Sequence, residues 1–186
     1  MNQNILSTGA VPISLALIGI YSQDLGNQSN GFARKPENNE SIANRAKLFR
    51  SNSIYKQKDK NLVRFSLSRS FDPTVQITVS IDDGNMQIES LSIGMSQANE
   101  IGKSKIVNVD REYLSQIRTL IKTEYLTSEK EESDAGLDGA IWEIEVTWEG
   151  EYYFHSVWSP SSGPEYKLGY ALFSRASRYV SLGELY

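Results

Sequence analysis

The only histidine of the chain, His155, lies between Tyr153 and Val157 in a stretch that also carries all three tryptophans, Trp142, Trp148 and Trp158. An imidazole there could serve as a general base, but that needs an orienting carboxylate and a nucleophile or metal beside it. A single histidine rules out a multi-histidine metal centre. The chain has no cysteine, which removes thiolate nucleophiles, disulfides, zinc ribbons and iron–sulfur sites together. By alternation His155 shares a strand face with Tyr153 and Val157, so a half-buried sheet residue is the simpler reading.

Paired carboxylates are the next candidates. Glu143 and Glu145 point the same way from one strand, about 7 Å apart by strand rise, and Asp138 is close in sequence. Such a pair could do acid–base work on a sugar, yet those pairs usually come from different strands lining a groove. The favoured expectation is the wet side of a sheet, available as an acidic binding surface together with Glu149 and Glu151. Asp82, Asp83 and Asn85 hint at a calcium loop but lack its alternating acidic frame, so a turn suffices. Gly136 and Gly139 lead into a strand, not a helix, and form no phosphate loop. The candidate site residues are therefore Asp138, Glu143, Glu145, Glu149, Glu151, Tyr153 and His155, with no catalytic set, metal or cofactor expected.

The elements that must position these groups are legible from periodicity. Val63, Phe65 and Leu67 alternate with polar residues, as do Val75, Ile77, Val79 and Ile81, and period two marks half-buried strands. Asp82–Asn85 supplies a hairpin turn, and the return strand Met86–Ile93 changes phase between Ile88 and Leu91, which predicts a bulge. A further short strand covers Lys105–Val109. Asp110 caps a helix over Arg111–Tyr125, with Tyr113, Leu114, Ile117, Leu120 and Ile121 as its apolar stripe. Trp142, Ile144, Val146 and Trp148 form an amphipathic strand, Glu149-Gly150 turns it, and Glu151–Trp158 returns. Pro164 opens a second helix with Leu168, Ala171, Leu172 and Ala176 inward. The class is α+β: an antiparallel sheet of about five to seven strands with two main helices packed on one face.

At 186 residues, 39% of them hydrophobic, the chain can build one real core. Residues 1–40 read as an apolar segment and polar linker, and 41–186 as a single α+β domain opening with a short helix near Ser41–Phe49. The apolar run Ala10–Tyr21 is too short to span a bilayer, and no basic residue precedes it. A buried or docking segment in a cytoplasmic protein is favoured over a secretion signal to the periplasm or beyond. The net charge of −4 hides an asymmetry. Arg34–Arg69 holds ten basic and three acidic residues, whereas Glu129–Glu151 holds nine acidic residues and one lysine. Two solvated faces are the simple account; electrostatic steering onto a charged partner is the sharper one.

The stretch Leu137-Asp138-Gly139, Trp142, Glu145, then Gly150, Tyr152 and Trp158-Ser159-Pro160 resembles a family of small bacterial proteins of uncharacterised function. Their pattern reads Leu-Asp-Gly-x-x-Trp-x-x-Glu, Gly-Lys-Tyr-His and Arg-Trp-Ser-Pro. Gly163-Pro164, Leu168-Gly169, Arg64-Phe65 and Ser68-Arg69-Ser70-Phe71 extend the likeness from about Asn61 to the C-terminus. Tyr153 stands where that family tends to have His, and Val157 where it tends to have Arg. The resemblance implies a fold and no activity. In it Asp138 and Gly139 shape a turn, while Trp142 and Trp158 pack under the helices.

Together these features predict a non-catalytic protein that binds another protein, for instance as an immunity or antitoxin partner blocking it through the acidic surface. The alternatives are a ligand-binding or hydrolytic cleft near Asp138 and His155, and nucleic-acid binding through the basic, aromatic-bearing stretch 45–69. Nucleic acid is the less favoured partner in an acidic chain, no transmembrane anchor is expected, and the oligomeric state is left open.

Overall fold

Alternation of apolar and polar residues produces six strands: β1 Leu62–Arg69, β2 Thr74–Ser80, β3 Asn85–Ser92, β4 Glu100–Asn108, β5 Ala140–Trp148 and β6 Glu151–Trp158. In the computed structural model, which describes residues 34–37, 53–69, 72–92, 100–129 and 139–185, they form one antiparallel sheet in the order β4-β3-β2-β1-β5-β6. All of these residues belong to the unit Phe32–Tyr186. The helices are α1, Arg111–Leu120, and α2, Gly163–Ala176. Both pack on one face of the sheet, so the architecture is α+β. The apolar run Ala10–Tyr21, the helix near Ser41–Phe49 and Asp138 lie outside the described residues.

The core sits between the sheet and the two helices. Phe65, Ile77, Ile88, Trp142, Ile144 and Val146 meet Ile117 and Ile121 after α1's start and Leu168, Leu172 and Ala176 of α2. Trp142 is fully buried, edge-on to Phe65 at 5.0 Å and stacked with Tyr166 at 6.0 Å. Gly169 makes that approach possible, since a Cβ there would stand 2.7 Å from the Trp142 ring. Asp110 caps α1 by accepting from the Tyr113 amide at 2.8 Å, which satisfies one of the free N–H groups of the first turn.

Four details depart from the periodicity reading. β4 begins at Glu100 instead of Lys105, because backbone pairing with β3 continues through a shift at Ser90/Leu91 that the alternation of β4 itself does not reveal. The first helix is α-helical only to Leu120 and then widens into a π turn, Ile121–Tyr125, closed by the Leu126 amide on the Ile121 carbonyl at 2.9 Å. Ile121 and Tyr125 are both fully buried in the core. Trp158 is opposite Ile141, not Trp142, so by strand parity it lies on the face away from the helices. Finally, the outer face of β5 is covered in its C-terminal half: Glu145 is 8% exposed and Thr147 fully buried. A 3-10 turn, Ile54–Gln57, covers it, with Ile54 packed against Leu62, Tyr152 and Phe154.

Candidate functional site

The hairpin β5–β6 positions the candidate residues on two sides of the sheet. Its turn residues, Glu149 at φ 52° and Gly150 at φ 86°, take the left-handed angles of a tight primed turn. Alternation then sends Glu143 and Glu145 to the outer face and Tyr153 and His155 to the helical face. Glu149 and Glu151 stay exposed at the tip, where Lys122 approaches Glu149 at 3.9 Å.

On the outer face Glu145 is the centre of a network. Its Oε2 accepts from the Ser53 hydroxyl at 2.5 Å, the Tyr152 hydroxyl at 2.9 Å and the Ile54 amide at 3.2 Å. Its Oε1 lies 3.8 Å from Arg64, which is paired in register with both Glu145 and Thr78 and donates to the Thr78 hydroxyl at 2.9 Å. A carboxylate so placed anchors the Ser53–Gln57 turn to the sheet. Glu143, its neighbour on the strand, is half-buried.

On the helical face His155 has the orienting carboxylate that general-base chemistry would ask for. Glu165, in the first turn of α2, places Oε1 2.7 Å from His155 Nδ1. The same oxygen accepts from Arg34 Nη2 at 2.7 Å. Arg34 also donates through Nε to the Tyr125 carbonyl at 2.8 Å and through Nη2 to the Ser128 hydroxyl at 2.9 Å, and its guanidinium carbon stands 4.1 Å from the centre of the Tyr125 ring. All three ionisable residues are buried: Arg34 is 2%, Glu165 5% and His155 8% exposed. Burial pushes the Glu165 carboxyl up, but the His155 hydrogen bond and the Arg34 charge outweigh it and hold the group below its ordinary value. Burial, with Glu151 and Glu149 nearby, pushes the Tyr153 hydroxyl up to about 12, so it keeps its proton at neutral pH.

No family model and no curated protein matches the chain. The geometry brings His155 together with Glu165 and Arg34, neither of which stood among the sequence candidates, and it separates His155 from Glu143 and Glu145 by the thickness of the sheet. Asp138 lies outside the described residues. An acid in the first turn of a helix reads in sequence as a favourable dipole contact, and nothing local joins Glu165 to an arginine 131 positions earlier.

The basic stretch is also partly internal. Arg64 is held as described, and Arg69 donates to the Glu184 and Pro73 carbonyls at 2.8 and 3.2 Å, tying down the C-terminal residues. Of the supposed calcium loop, Asp82 accepts two hydrogen bonds from Asn61 and Asp83 one from Ser80. Among the described residues no three His, Asp or Glu side chains converge on a metal-sized space, and no helix is long and apolar enough to cross a membrane.

A second region stayed invisible in the sequence. α1 and α2 leave a groove of about 580 Å³, lined by Tyr113, Leu120, Tyr166, Tyr170 and Ala171 and by polar groups of both signs, among them Asp110, Glu112, Lys167, Arg175 and Arg178. Tyr170 is 51% exposed and stacks on Tyr166 at 5.7 Å, continuing the aromatic column from Trp142. Arg175 is held by Asp110 and lies over the Tyr113 ring at 5.1 Å.

Proposed function

We propose that this protein acts by binding another protein, in the manner of an immunity or antitoxin partner, and that its contact surface is the groove between α1 and α2. The observation that carries this is the half-exposed Tyr170 stacked on Tyr166 within that groove. A rigid aromatic presented at low entropic cost among apolar and polar neighbours is what an interface uses as an anchor. The acidic residues support the reading less strongly. Glu145 is spent on holding Ser53 and Tyr152, which leaves Glu149 and Glu151 as the exposed acids of the hairpin. The occupant that suits the groove is an apolar or aromatic side chain seated between Leu120, Tyr166 and Tyr170.

Affinity capture from the native host tests this with three proteins: the wild type, Tyr170→Ala, and the double reversal Glu149→Lys with Glu151→Lys. The reading expects one protein retained by the wild type and the charge-reversed form, and weakened tenfold or more by Tyr170→Ala. Equal retention by wild type and Tyr170→Ala, or loss only on charge reversal, contradicts the groove as the contact surface.

A further inference from the structure

The surroundings of Arg34 have the make-up of a binding site for which Arg34 is the ligand. Every wall comes from elements other than the short segment that carries it. The end of the π turn and the residue after it supply the Tyr125 and Leu126 carbonyls, the first of which also accepts from the Ser128 hydroxyl at 3.0 Å. Ser128 supplies a hydroxyl, α2 supplies the Glu165 carboxylate, β6 supplies His155, and the Tyr125 ring supplies a π face. A planar cation with forked donors matches this set, and an ammonium does not. The described segment 34–37 adds two main-chain bonds: the Arg34 amide to the Leu126 carbonyl at 3.0 Å, and the Glu37 amide to the Tyr152 carbonyl on the edge strand β6 at 2.8 Å. Arg34 Nη1 is buried without a hydrogen-bond partner, so the fit is good on two of the three nitrogens and incomplete on the third.

We infer that the space bounded by Tyr125, Ser128, His155 and Glu165 is a guanidinium-binding site, filled in cis by Arg34 and open to the arginine of a competing extended peptide when Arg34 is absent. The ligand class is an alkylguanidinium. An arginine followed by residues that reach the β6 edge would bind more tightly, because it repeats the Leu126 and Tyr152 backbone contacts. This site is on the sheet side of the π turn and is independent of the groove proposed above.

The lone histidine makes the test direct, since its imidazole resonances report on the Nδ1–Glu165 contact without assignment. In the full-length Arg34→Ala protein, the midpoint of thermal unfolding should fall by about 10 °C and the His155 resonances should move. Millimolar ethylguanidinium should restore at least half of both changes in a saturable way, whereas ethylammonium should not. The capped peptide Arg-Lys-Pro-Glu should do the same at a tenfold lower concentration. Should Arg34→Ala fail to fold, Arg34→Lys keeps the charge without the fork, and ethylguanidinium should move its His155 resonances toward the wild-type positions. No saturable response in the variant that folds, an equal response to ethylammonium, or the same response in the wild type overturns the inference.

Discussion

Glu145 and Glu165 are 8% and 5% exposed, one on each face of the same sheet, and each fastens an upstream piece of chain to it. Their chemistry differs. Glu145 is satisfied mostly by neutral donors, two hydroxyls and an amide, with Arg64 at a looser 3.8 Å. Glu165 is satisfied by a guanidinium and an imidazole sharing one oxygen. A hydrogen-bonded carboxylate contributes modestly and tolerates the loss of one donor. In a buried ion pair each charge depends on its partner, and removing one strands the other in a medium that solvates it poorly.

The contrast is broken most sharply at Glu165. Replacing it with alanine leaves Arg34 buried without a counter-charge and should cost about 3–5 kcal/mol, read by chemical denaturation. Glu145→Ala, which strands neutral donors and loosens a guanidinium that keeps its bond to Thr78, should cost about 1–3 kcal/mol in the same measurement. Equal losses would mean that the two clusters work alike. Tyr152→Phe removes a single donor from Glu145 and should cost about 0.5–1.5 kcal/mol.

Acid acts directly on the Glu165 cluster. The folded value of Glu165 lies below its unfolded value near 4.5, so the folded state favours the carboxylate. Its contribution is therefore complete above pH 4.5 and is lost as pH falls through the lower, folded value. The groups facing it are Arg34, His155, Ser128 and Tyr125. Denaturation midpoints of wild type and Glu165→Gln measured from pH 6 down to 2.5 should converge at the acid end. A constant gap across that range would assign the acid sensitivity elsewhere.

How far the sequence revealed this arrangement depends on the range of the forces involved. The β1, β2 and β5 strands, the two turns and the inward residues of both helices follow from local periodicity, and the bulge near Leu91 shows as a slipped phase. The first residues of β4 carry no alternation, because its backbone pairs with β3 whatever its side chains do. The burial of Glu145 and Thr147 was missed because alternation says which face a residue takes, not whether another segment covers that face. Arg34 and Glu165 meet across 131 positions of sequence, and an arginine in a polar stretch carries no mark of being an anchor. The helical groove is likewise a product of how two helices cross, and no local pattern marks Tyr170 as its exposed aromatic.

The Arg34–Glu165 contact is an energetic unit that fastens the 34–37 segment to the domain. A double-mutant cycle on Arg34→Met and Glu165→Gln, measured by urea unfolding, tests it most directly. The account expects each single change to cost several kcal/mol and the double change markedly less than their sum, with a coupling of about 2 kcal/mol or more. Costs that simply add, within about 0.5 kcal/mol, would contradict it.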